Sequence, residues 1–141
     1  MRQQDLRRSE ETEAEAVRGV RRAGWLLMVC GAALLPWLYV LATGLPAGMD
    51  AAHRPVAWVG LDALEAAGLI ITGVLATRGQ DRHTPAAAAT SALLVVDAWF
   101  DTTTAHAGSD LVSALVMAVC AELPLATLCA HLALRTTTRR A

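Results

Sequence analysis

Leu93-Leu94-Val95-Val96-Asp97-Ala98-Trp99-Phe100-Asp101 is as apolar as a membrane helix except for two aspartates four residues apart. Four residues on a helix turn the chain through about 400°, so both carboxylates leave one face, a turn apart. A helix of this kind needs partners that enclose the acidic face, and the chain supplies three further apolar segments. Three more acids, Asp62, Glu65 and Glu122, lie inside those segments.

The 141 residues are 55% hydrophobic and 18% charged, with a mean hydropathy of +0.41. Soluble domains carry roughly a quarter of their residues charged. Here many of the charges crowd into positions 1–22, and what remains has a membrane composition. The net charge of −1 argues against nucleic acid as a partner. Cys30, Cys120 and Cys129 fall in apolar stretches without C-x-x-C spacing, so they read as small hydrophobic residues in packed helices.

Taken in order, residues 1–22 form a polar cytoplasmic segment. Arg7/Glu11 and Glu15/Arg18 are at helical spacing, which predicts a frayed surface helix with a disordered beginning. Residues 23–45 carry no charge, and 23 residues at about 1.5 Å each cover the roughly 30 Å of hydrocarbon. That run is too long for the core of a signal peptide and more hydrophobic segments follow, so it is the first transmembrane helix. Pro36 should bend it, and Trp25 near its start reads as an interfacial anchor.

Gly44 to Gly48 breaks the chain, and Pro55 opens a second helix over 55–77. The polar turn 78–83 follows. Thr84-Pro85 then reads as a cap and first-turn proline for a third helix over 84–105. Ala107-Gly108 closes it, and Ser109 or Asp110 caps a fourth over 109–134. A basic cytoplasmic tail, 135–141, ends the chain. Gly60, Gly68, Gly73 and Ala86 to Ala89 suit close approach in lipid and predict tight packing of helices two and three. The fold class is therefore all-α, an integral membrane four-helix bundle in the cell membrane.

Arginine placement orients it. Six arginines precede the first span, Arg78 and Arg82 sit in the turn between helices two and three, and three lie in the tail; only Arg54 falls on the other side. By the positive-inside rule both termini are cytoplasmic.

With that orientation, helical rise places Asp62 and Glu65 about 10 and 15 Å below the outer end of helix two. Asp101 and Asp97 lie about 6 and 12 Å below theirs, and Glu122 about 18 Å down helix four. One outward-opening acidic pocket floored by Glu122 is the economical arrangement. A central aspartate costs about 2.5–3.5 kcal/mol to insert, so five acids facing lipid would cost about 12–17 kcal/mol. No basic residue lies between Arg54 and Arg78, or between Arg82 and Arg135. The acids must then be protonated, hydrated, hydrogen-bonded or holding a cation. Trp58 and Trp99 are candidates for the pocket wall. Pro124, two residues after Glu122, opens the backbone near Cys120, either to build a polar spot at membrane depth or as a bare packing kink.

His53, His106, His83 and His131 show no paired ligand spacing, and neither a metal nor a cofactor is assigned from the sequence. Trp58-Val-Gly-Leu-Asp62, Asp97-Ala-Trp-Phe-Asp101 and Glu122-Leu-Pro-Leu125 resemble motifs of a group of small four-helix actinobacterial integral membrane proteins. The resemblance covers residues 23–134 and implies the fold, with no activity attached. Walker, nucleophile-elbow, HExxH and aspartate-rich prenyl diphosphate motifs are lacking.

Three functions fit. The first is a pocket for protons, a cation or a small polar or cationic ligand, with Asp62, Glu65, Asp97, Asp101 and Glu122 as its groups, serving transport, sensing or an accessory role. The second is a small membrane enzyme using paired carboxyls as general acid and base on a lipophilic substrate. The third is a structural subunit. The expected partners are the lipid bilayer and either further copies of the chain or a larger membrane complex.

Overall fold

A computed structural model describes residues 2–44 and 54–137. Helix α1 spans Arg2–Gly44, α2 Arg54–Thr77, α3 His83–Thr104 and α4 Ser109–Met117. A π-helical stretch, Ala118–Glu122, joins α4 without a break to α5, Leu123–Thr137. The described residues form four helical rods and no strand. The loop 45–53, with His53, lies outside the described residues.

Three rods are long and apolar enough to cross a membrane, over Glu10–Val40, Trp58–Thr77 and Ser109–Arg135. Helix α3 is not among them, because Thr90, Ser91, Asp97, Asp101 and the threonines at 102–104 dilute its apolar run. Its polarity is sided. Thr90 and Asp97 are buried, whereas Val95, Val96 and Trp99 are exposed. The same inside-out pattern covers the bundle: Leu26, Val29, Trp37, Leu64, Ile71 and Val119 all face outward. An outer surface so apolar suits hydrocarbon rather than water.

Helix α1 differs from the expectation of a frayed segment ahead of a separate span. It is one continuous helix of 43 residues, about 65 Å long. No proline interrupts residues 2–22, and their arginines and glutamates are good helix formers. The start of α3 also differs. Arg82 occupies the capping position without a side-chain bond, and Thr84 lies inside the helix with its hydroxyl oxygen buried and unpartnered. The His83 ring Nδ1 donates instead to the Gln80 carbonyl at 2.7 Å, fastening the turn. At the head of α4 the capping position belongs to Gly108, whose φ of 114° favours glycine over Ser109 or Asp110.

The core runs along the bundle through Leu27, Leu69, Ala87, Leu94, Ala126, Cys129 and Leu132, which places Cys129 as the small hydrophobe its surroundings required. Small residues let the backbones approach, although not only where expected. Gly68 faces Thr90 of α3, but Gly73 faces α1: a Cβ there would stand 2.5 Å from the Gly24 carbonyl oxygen. The tight α2 contact is thus shared between α1 and α3.

Candidate functional site

Pro124 shapes the site. It lacks an N–H and its ring collides with the carbonyl four residues back, at Cys120. The π-helical widening over Ala118–Glu122 absorbs that conflict. It also places Glu122, buried at 6% exposure, opposite the acidic face of α3.

Asp97, Asp101 and Glu122 each present a carboxylate oxygen, and the three oxygens lie within 4.8 Å of one another. Asp97 and Asp101 reach this position because they leave one face of α3. Glu65 of α2 is buried at 4% exposure and feels the charges of Asp97 and Glu122 most strongly, then those of Asp62 and Asp101. Asp62, half-buried, couples to Asp101. All five acids singled out from the sequence therefore belong to one electrostatically linked group.

Of the five buried side-chain oxygens without a partner among the described residues, four belong to this group and the fifth is the Thr84 hydroxyl. One buried oxygen on each of Glu65, Asp97, Asp101 and Glu122 has no hydrogen-bond partner among the described residues. No arginine or lysine lies between Arg54 and Arg78 or between Arg82 and Arg135, the stretches that hold these acids. Buried polar atoms normally find partners, and those left over ask for a bound group or a proton. No metal was assigned from the sequence, because no short spacing marks one; the ligand set forms only when α3 meets the π stretch. Three hard oxygens at this separation are within reach of a single cation.

A cavity of about 220 Å³ opens beside the group, lined by Trp58, Asp101, Thr104, Ala105, Asp110 and Ala114. Trp58 lines this cavity, with its ring edge-on to Phe100 at 5.3 Å. Trp99 does not line this cavity. It is 63% exposed, because two residues from Asp97 on a helix is about 200° of rotation, onto the opposite face. Asp110 is the residue the sequence reading missed. An acid at a helix start reads as a cap, and only the folded loop shows it sharing a cavity with Asp101.

A larger cavity of about 590 Å³ lies at the other end of the bundle, between Val17 and Arg21 of α1, Arg78, His83, Leu132 and Arg135. It holds none of the five acids and is separate from the site. His106 is exposed, and neither it nor His131 joins the acidic group.

Comparison of the chain with protein-family models, with curated proteins and with solved structures returned no match. The class that the coordinates themselves define is an all-helical bundle with three helices fit to cross a membrane and a cluster of acidic residues.

Proposed function

We propose that the chain is a small multi-pass protein of the cell membrane whose acidic pocket, open to the outer side, binds protons, a cation or a small polar or cationic ligand in a transport, sensing or accessory role. The observation that carries this reading is the meeting of Asp97, Asp101 and Glu122 oxygens within 4.8 Å, with unpartnered buried oxygens on all three and on Glu65. Carboxylates used only to fasten helices would each be tied to a local donor. These are not.

Four spans with both termini cytoplasmic is the topology that supports this function best. Helix α3 crosses with the others because its polar residues face inward and its outward residues, Val95 and Val96 among them, are apolar. Eleven arginines on one side against Arg54 on the other support the orientation. The bilayer is the chain's first partner. The exposed apolar face leaves room for further copies of the chain or for a larger complex.

The test is a titration of tryptophan fluorescence in nanodiscs, where Trp58 lines the cavity beside Asp101. Wild-type protein should respond to pH or to added cations, and Asp97→Asn should lose that response. An identical titration in both proteins would contradict the assignment.

A further inference from the structure

The acidic group carries a sharper statement than an unspecified ligand. We propose that Asp97, Asp101 and Glu122, backed by Glu65, form a binding site for one calcium-sized divalent cation, entered through the cavity that Trp58, Asp101 and Asp110 line. This rests on the pocket proposed above and names its ligand.

Two observations independent of each other lead to it. The first is geometric. For three atoms mutually within 4.8 Å there is a point no more than about 2.8 Å from each of them. Calcium takes oxygen ligands at about 2.3–2.6 Å and tolerates irregular geometry. A shift of a few tenths of an ångström would close the site on it. Magnesium demands near-ideal octahedral geometry at about 2.0–2.1 Å and gives up its waters reluctantly, which three carboxylates carried on two separate helical stretches suit less well.

The second is Glu65. It belongs to a different helix, is buried at 4% exposure, and has an oxygen without a partner. Its strongest charged neighbours are Asp97 and Glu122, so it faces the cluster. An acid placed there without a cation only adds repulsion.

Charge selects the valence. The three clustered carboxylates and Glu65 together would leave a monovalent ion heavily outnumbered in surroundings of low dielectric, where uncompensated charge is costly. A dication offsets two of them, where a monovalent ion would offset one. Carboxylates can bind one- or two-toothed, and water from the cavity beside Asp101 can complete a calcium shell of six to eight oxygens. Asp110, on the wall of that cavity, adds a negative charge along the way in.

The experiment measures binding of Ca2+, Mg2+ and Na+ to the full chain in nanodiscs of uncharged lipid. Radioactive Ca2+ is followed by equilibrium dialysis and tryptophan emission is read in parallel. One Ca2+ per chain should bind saturably, with Mg2+ at least about tenfold weaker. Asp97→Asn and Glu122→Gln should each weaken Ca2+ binding about tenfold or more, and Glu65→Gln should weaken it less. Thermal unfolding of each variant shows that it folds, and Glu65→Gln stands in where another variant does not.

Undiminished Ca2+ binding in the variants would overturn the site, and equal affinity for Mg2+ would overturn its size. If protons or Na+ still change the fluorescence in an Asp97-dependent way while no Ca2+ binds, the divalent assignment falls and the pocket stands. If no cation and no pH change has any effect, both fall.

Discussion

Thr90 and Ser91 stand two turns before Asp97 on the same helix, and the two regions treat buried polar groups in opposite ways. In the first, the Thr90 hydroxyl donates to the Ala86 carbonyl at 2.9 Å and lies 3.1 Å from the Thr72 hydroxyl of α2. Ser91 donates to the Ala126 carbonyl of α5 at 2.8 Å. These bonds join three helices and leave no polar atom of the set wanting. In the second region the side chains are as deeply placed, yet Glu65, Asp97, Asp101 and Glu122 each keep a buried oxygen without a partner. A polar group that is satisfied by its own fold is fastening. Four carboxylates left unsatisfied together at that depth are what the proposed ligand would satisfy.

Substitutions can break that contrast, and the largest effect is expected where the helices touch. Gly73→Val would drive a side chain into the Gly24 backbone, which a Cβ already approaches to 2.5 Å. Loss of the monodisperse folded protein on size-exclusion chromatography is the expected outcome; a normal profile would mean that α1 and α2 do not cross there. Next comes Asp97→Asn. It should abolish the cation response of tryptophan emission while the protein remains folded, since an amide is cheaper to bury than an unpaired carboxylate.

Thr90→Val tests the other region. It leaves the Thr72 hydroxyl buried without its partner and should cost about 1–3 kcal/mol in thermal or denaturant unfolding, with cation binding retained. Ser91→Ala should be milder, about 0.5–1.5 kcal/mol, because the Ala126 carbonyl keeps its place in the helix. The smallest effect belongs to Asp110→Asn. It should slow cation entry in stopped-flow fluorescence and leave equilibrium affinity nearly unchanged, because Asp110 lies on the way in rather than among the three clustered oxygens. Should Thr90→Val remove the cation response and Asp97→Asn spare it, the two regions would have exchanged roles.

Much of this was legible in the sequence. From α2 onward the helices begin and end within a few residues of where glycine, proline and the charge breaks place them, whereas α1 runs through the charge break at residue 22. The five acids were visible because charge inside an apolar run is conspicuous, and four-residue spacing put Asp97 and Asp101 on one face. That same rotation argument, carried one step further, would have turned Trp99 outward. Other features depend on three-dimensional neighbours. A small-residue stripe does not say which helix it meets, so the partnership of Gly73 with Gly24 waited for the fold. Pro124 announced a disturbed backbone, but not that an extra residue in the turn would absorb it and deliver Glu122 to α3. The place of Asp110 beside Asp101 follows from the loop 105–108, whose path no periodicity encodes.

The claim at the centre is that carboxylates without partners are held together deep in a bundle for a cation. The most direct measurement compares thermal unfolding of wild-type protein and Asp97→Asn, each with and without Ca2+. A ligand that binds only the folded state raises its stability in proportion to its occupancy. The account predicts that Asp97→Asn melts at or above wild type in chelator, and that Ca2+ raises the melting temperature of wild type alone. A variant that melts well below wild type in chelator, with Ca2+ shifting neither protein, would show that Asp97 is a structural fastening after all.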